Sequence, residues 1–199
     1  MTEKNIGMSP ELDKPKSRNS IIKEAIAEGK TPMLAFEQRQ FEVELLGHSA
    51  TQSELSALLG EAMTTTSETW HDNAQADAVT MQSHILESQA KDVIAALKSR
   101  FIIPYEQDEQ DKVSIGALVD VLIGQSPQTI FMTGKQRRLP GDIAEILGED
   151  TTAANVQSPI GAAIFDQSVG AVASYKVGER QLQVTVVSIQ YPDIKPADK

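Results

Sequence analysis

The sequence predicts an α+β protein, with an N-terminal antiparallel helical hairpin followed by a small antiparallel sheet domain that carries a short helix. Three observations predict it. Between about residues 33 and 100 the weakly polar and apolar side chains recur at alternating spacings of four and three. After Pro104 that pattern gives way to period-two alternation. Gly-centred turn signals then divide the second half of the chain into short segments. A length of 199 residues allows one or two domains, and 40% hydrophobic content supports a modest core.

Residues 1–32 are short of large apolar side chains and rich in Lys, Pro and Ser, with Pro10, Pro15, Ser17 and Ser20 among them. Only Ile21 to Glu28 has a helical look, so this arm is expected to be mostly disordered. The helical hairpin is expected over 33–104. Its first arm carries Phe41, Leu45, His48, Gln52, Leu55, Leu59, Ala62 and Thr66; its second carries Val79, Ser83, Leu86, Ala90, Val93 and Leu97. Alternating three-four spacing is the seam of a coiled coil. His48 and Gln52 are polar faults in it, and Gly47 and Gly60 each cost the first helix roughly 1 kcal/mol. Thr64 to Asn73 is rich in β-branched and cap-forming residues, which places the tip near 67–73. Arms of ~24–30 residues would reach ~36–45 Å.

The second domain is expected over 105–191, with a tail over 192–199. Glu106 to Lys112 is a charged linker. Ile115, Ala117, Val119, Val121 and Ile123 alternate as a half-buried strand, and Thr129 to Met132 is a second, short strand. Gly134 to Gly141 is a basic loop containing Lys135, Arg137 and Arg138, and Asp142 to Leu147 reads as a short helix. Ser158-Pro159 reads as an N-cap with Pro at the first helical position, opening a helix through Phe165. Ala171–Val177 and Gln181–Ile189 are strands joined by the hairpin signal Gly178-Glu179-Arg180.

Composition excludes several classes of function. With no Cys, there is no disulfide scaffold, thiolate zinc site, iron–sulfur cluster or Cys nucleophile. The absence of a long apolar run or an apolar leader makes a cytoplasmic, membrane-free protein the expectation. The chain has 18 Lys+Arg against 28 Asp+Glu, a net charge of −10, which argues against stable binding of free DNA through phosphates. Phosphate-cradling glycine motifs and a nucleophile elbow are absent, and His48, His71 and His84 share no metal-ligand spacing. No self-contained active site is expected, so the chain is read as a non-enzyme.

One distribution is unusual. Residues 48–90 contain no Lys or Arg, yet hold Glu54, Glu61, Glu68, Asp72, Asp77 and Glu87. A hairpin built this way presents negative potential at its far end. That charge serves either the solubility of a polar helix pair or the delivery of carboxylates to a cation on a partner. Asp72, with Gln75 three residues on, also suits an N-cap of the second helix. A rigidly placed cap carboxylate can serve both purposes.

Ser158-Pro-Ile-Gly-Ala-Ala-Ile-Phe165, followed by Val169-Gly170 and the hairpin to Ile189, resembles the Gre transcript cleavage factors (GreA/GreB) of bacterial RNA polymerase. It looks like that family's S-P-[IL]-G-x-A-[IL] segment and the strand after it. Ile115 to Val121 is similar to the strand that opens the family's C-terminal domain, which has an FKBP-like sheet. Thr69-Trp70-His71-Asp72-Asn73-Ala74 stands where the family's tip motif D-x-x-E-N-A would fall. Asp72 matches the second acid, Asn73-Ala74 match outright, and Thr69 replaces the first acid, with Glu68 beside it. The segment Gly134 to Gln157 is longer than the family pattern, and residues 1–32 have no counterpart in it.

The resemblance implies a transcription elongation factor that docks on RNA polymerase and sends its coiled coil down the secondary channel. Asp72 and Glu68 would be the acting tip residues. They would share the polymerase's Mg²⁺, with Asp72 as metal ligand, contact the RNA 3′ end there and stimulate cleavage of backtracked RNA. No cofactor would be intrinsic. Ser158, Pro159, Ile160 and Gly161 would be the polymerase-binding residues. Thr69 keeps open the alternative of a secondary-channel regulator or inhibitor that does not support cleavage. A prolyl isomerase, suggested only by the sheet type, lacks support, since one Trp, three Tyr and five Phe leave little for an aromatic proline pocket.

Overall fold

The computed structural model describes residues 16–65, 74–103, 111–136, 138–148 and 150–194. In chain order the elements are α1 (Arg18–Ala27), β1 (Thr31–Met33), α2 (Ala35–Thr65), α3 (Ala74–Lys98), β2 (Arg100–Ile102) and β3 (Leu118–Ile123). They continue with β4 (Ser126–Thr133), α4 (Gly141–Leu147), β5 (Thr152–Asn155), α5 (Pro159–Ile164), β6 (Val172–Val177) and β7 (Arg180–Gln190). The result is α+β with a mixed sheet. Among the described residues no helix is long and apolar enough to cross a membrane.

Helices α2 and α3 pack on one another in antiparallel sense. Gln52 Nε2 donates to Ser83 Oγ at 2.7 Å along their length, while Phe41 lies near Ala95 at the base. Phe41, Leu45, His48, Gln52, Leu55, Leu59 and Ala62 are all of the buried or half-buried positions of α2 from 41 to 62. Val43, Leu46 and Met81 fall off the stripe and are 65%, 72% and 67% exposed. Spacing rather than hydrophobicity therefore decides which side chains meet. The tip expected near 67–73 and the linker residues 104–110 lie outside the described residues.

The main sheet has the order β5-β4-β3-β7-β6. Its β3–β4, β3–β7 and β6–β7 pairs are antiparallel, but β4–β5 is parallel. This corrects the expectation of an all-antiparallel sheet. The cause is the long segment after β4: a parallel neighbour needs a crossover, and the loop with α4 supplies it. Strand β5 carries no sequence signal, because Thr-Ala-Ala-Asn shows neither alternation nor bulk. The first sheet strand also begins later than expected, at Leu118, because the chain turns at Ser114–Ala117, with Gly116 at φ 93° and Ala117 N donating to Ser114 O. Both hairpins of the sheet use a two-residue loop with Gly first, Gly124 at φ 63° and Gly178 at φ 60°.

The disordered reading of residues 1–32 is corrected for its described part, 16–32. Ser17 caps α1, accepting from Ser20 N, and Gly29 at φ 74° ends it. Gly29 N donates to Ile26 O and Lys30 N to Ala25 O, a Schellman closure. Asn19, Ile22 and Ala25 lie one turn apart on a single buried face. Ile22 and Ala25 are small in number, and only a partner surface makes them sufficient. Asn19 Nδ2 donates to Val113 O (3.2 Å) and Asp166 Oδ1 (3.0 Å), and Arg18 donates to Ile115 O (2.9 Å). Strand β1 then pairs parallel with β2, so the chain entering α2 lies beside the chain leaving α3. One continuous core runs from Ile22, Leu34 and Phe36 through Ile103 to Val119, Ile130 and Val186.

Asp166 holds α1 to the sheet side, and its backbone is left-handed at φ 64°. The ammonium of Lys23 on one oxygen, with Asn19 and Lys112 nearby, holds its carboxyl down at about 2, against some desolvation. Because the folded value lies below the ordinary aspartate value of 3.8, the stabilisation is present above about pH 4 and is lost as pH falls toward 2. Asp166→Asn, which keeps a residue tolerant of left-handed backbone, should lower stability at neutral pH. It should also flatten the stability-versus-pH curve between pH 4 and 2, as read by chemical denaturation at each pH.

Candidate functional site

The segment Asn155–Gly161 forms a tight turn into α5, and its residue types follow from that turn. Ser158 Oγ donates to Asn155 O at 2.7 Å and accepts from Gly161 N at 3.1 Å, capping the helix. A Cβ on Gly161 would sit 2.0 Å from Asn155 O, so the helix can approach β5 only through glycine. Asn155 Oδ1 accepts from Gln157 N, and Asn155 Nδ2 donates to Lys135 O at 3.3 Å. The turn is thereby tied to the basic loop.

That loop is built around Glu37, whose side chain is completely buried. Its Oε1 accepts from the backbone N–H of Gly134, Lys135 and Gln136 at 3.0–3.1 Å. Its Oε2 accepts from Leu34 N at 2.8 Å and Gly134 N at 3.0 Å. Glu37 is the third residue of α2, so the Leu34 contact is one half of a capping box. The three loop contacts form a nest of successive amides around an anion. Burial pushes the Glu37 carboxyl above its ordinary range, with the four backbone donors opposing that shift. Gly134 is obligatory here as well: a Cβ would lie 2.0 Å from Pro32 O.

Between the base of the helix pair and the β5 side of the sheet lies an open groove of about 1320 Å³. Gln40, Phe41, Glu44, Asp92 and Ala95 form the helical wall; Ile130, Thr152 and Ala153 form the sheet wall. Lys135 and Arg138 edge it from the loop, and Glu44 and Asp92 line it from the helices. Exposed Pro159 and half-buried Ile160 face into it beside Ser158. Of the four residues expected to meet a partner, Ser158 and Gly161 are thus committed to the turn, and Pro159 and Ile160 present the surface.

Glu68 and Asp72, the expected acting residues, lie outside the described residues, as do Thr69 and Arg137. Along the described parts of the helices, His48 lies 3.7 Å from Glu44, His84 3.9 Å from Glu87, and Lys91 pairs with Glu87 at 2.9 Å, each within one helical turn. No group of three His, Cys, Asp or Glu among the described residues could hold a metal. The residues that sequence reasoning missed are Glu37, Asn155 and Asp166. A Glu three positions into a helix was a signal for a local cap; nothing local pointed to loop partners about a hundred residues away.

No protein-family model matches the chain and no curated protein matches it. Among solved structures, the chain is similar to GreA factor homolog 1 of Thermus thermophilus, at 16% identity and TM-score 0.36, covering 81% of this chain and 99% of that one. The Thermus aquaticus homolog gives 15% identity and TM-score 0.37, over 80% and 97%. A prokaryotic elongation factor GreA/GreB from Nitrosomonas europaea gives 14% identity and TM-score 0.33, over 58% and 93%.

Two substitutions test the site's construction. Glu37→Ala leaves four backbone donors, three of them buried, without their acceptor and should lower stability by about 2–5 kcal/mol, far more than Glu42→Ala on the exposed face, by urea denaturation. Gly161→Ala forces backbone apart at Asn155 and should cost about 1–3 kcal/mol in the same measurement.

Proposed function

We propose that this protein is a transcription elongation factor that binds bacterial RNA polymerase in its secondary channel and stimulates cleavage of backtracked RNA. The observation that carries the reading is the pairing of two features in one chain. The helix pair has no Lys or Arg from 48 to 90, and it stands on a sheet domain whose Ser158–Phe165 segment resembles the Gre family's docking region. In this reading residues 33–104 are a coiled-coil hairpin, 105–191 an FKBP-like docking domain and 192–199 a tail. Helix α2, at 31 residues, spans ~46 Å, a reach suited to a channel.

Docking falls to Pro159 and Ile160, which the Ser158 cap and Gly161 hold in place at the groove. The tip does the chemical work by charge. Carboxylate oxygens are hard ligands for a divalent cation, and Asp72, with Glu68 beside it, supplies them to the Mg²⁺ that the polymerase holds. No intrinsic cofactor is required. The chain has no active site of its own in this reading; the polymerase cuts the RNA. A negative shaft avoids capture by the RNA and DNA phosphates along the way.

A second reading has one observation in its favour. Thr69 occupies the position of the family's first tip acid, and a hydroxyl adds no charge for a metal. A factor with that tip could occupy the channel and restrain the polymerase without supporting cleavage.

Cleavage of stalled elongation complexes by polymerase plus purified protein separates the readings. Asp72→Asn preserves cap chemistry and removes the charge, so under the first reading it abolishes stimulated cleavage while binding persists. Thr69→Asp raises activity at limiting Mg²⁺. Pro159→Asp, at an exposed position, weakens competition for polymerase about tenfold or more with little loss of fold, the behaviour of a central apolar contact. Wild-type protein that competes for polymerase but never stimulates cleavage decides for the second reading. Cleavage by Asp72→Asn at the wild-type level leaves Asp72 only as a cap.

A further inference from the structure

Two side chains of the groove end in oxygens without a hydrogen bond. The amide oxygens of Gln40 and Gln136 are buried, and neither accepts from a donor among the described residues. Gln136 as a whole is only 7% exposed. Folded proteins leave few buried acceptors unpaired, because an acceptor taken from water and given no donor is costly. Asn155, in the same lining, shows the ordinary case: its amide is bonded at both ends, to Gln157 N and Lys135 O. Both unpaired oxygens belong to the groove that Pro159 and Ile160 also line.

The rest of the lining narrows the donor. Glu44, one turn from Gln40 on α2, and Asp92 on α3 are exposed acids. Amide oxygens together with carboxylates call for a cation that carries several N–H groups. A guanidinium has five, against three on an ammonium, and is less strongly hydrated. Half-buried Phe41 offers it an aromatic face. The groove does not suit a bare cation, since Lys135 and Arg138 add positive charge and Pro159 and Ile160 apolar surface. It suits a protein segment that brings an arginine and acids together. Taking the docking reading as premise, we propose that the groove receives an arginine side chain of the docked protein, whose guanidinium donates to Gln40 Oε1 and Gln136 Oε1. Glu44 and Asp92 balance its charge. The last torsion of a glutamine side chain is soft, so each oxygen can swing to the entering donor.

Gln40→Met and Gln136→Met keep the length of the side chain and remove the oxygen. A structural role and a recognition role then differ in sign. Removing an unpaired buried acceptor leaves the urea midpoint of the full-length chain unchanged or higher, while competition for RNA polymerase weakens about tenfold in each variant. A second arm needs no polymerase. N-acetyl-arginine amide at millimolar concentration shifts the side-chain amide resonances of Gln40 and Gln136 in the labelled full-length protein, each resonance being identified by its loss in the Met variant. N-acetyl-lysine amide controls for attraction to a chain of net charge −10 and shifts them less than about half as far. N-acetyl-citrulline amide, the uncharged counterpart of arginine, leaves them in place. A urea midpoint that falls along with binding overturns the proposal, and so do citrulline shifts equal to those of arginine. Resonances unmoved by every probe overturn it too, and wild-type competition for polymerase then leaves docking standing without the arginine. Arginine-specific shifts in a protein that never competes for polymerase support the acceptors and overturn the docking reading instead.

Discussion

A single buried carboxylate organises the middle of this molecule. Glu37 sits where three structures meet: the first turn of α2, the strand β1 beside it and the loop that follows β4. Burying a carboxylate is costly, and the cost is met only by groups that cannot easily move away, here four backbone N–H donors. The consequence reaches both ways. The three amides of the 134–136 loop all donate to Glu37, so the loop's shape depends on α2 being in place. The helix, in turn, is set down on the sheet domain at a defined point. Gly134 completes the arrangement, because only a residue without a side chain lets the loop lie against Pro32.

From that junction the helix pair extends with a seam that is only partly apolar. His48 and the Gln52–Ser83 contact interrupt it. A polar pair inside a seam contributes less than two leucines would, but it is satisfied in one alignment and unsatisfied in its neighbours, so it holds the register of the two helices. Charge along the shaft follows a separate rule. The absence of Lys and Arg between 48 and 90 sets the sign of its field.

The Ser158–Gly161 segment shows how a motif can carry two demands in adjacent positions. Ser158 and Gly161 are explained by the turn: one caps α5 and the other makes room for Asn155 O. Pro159 and Ile160 are not consumed in that way, since one is exposed and the other half-buried at the groove. The groove is lined by charges of both signs, Lys135 and Arg138 together with Glu44 and Asp92. Its shape depends on Glu37, which sets the loop, and on Asn155, which ties the loop to the turn.

By itself the sequence determined what depends on near neighbours. The three-four stripe marks the buried positions of α2, because a helix repeats its faces every few residues. The Ser-Pro start of α5 and the Gly-first hairpin at 178 were legible because caps and tight turns are satisfied within a few residues. The negative shaft is likewise a property of a continuous stretch. What tertiary structure decided involves partners far apart in the chain. Residues 16–32 look too polar to fold alone, and become ordered because Val113, Ile115 and Asp166 offer them a surface. Strand β5 has no strand character of its own and is made by its parallel ladder with β4. Glu37 reads as one more helix-start acid, until the fold brings the amides of residues 134–136 to its carboxylate. Each of these depends on hydrogen-bond donors or apolar surface that no local pattern can announce.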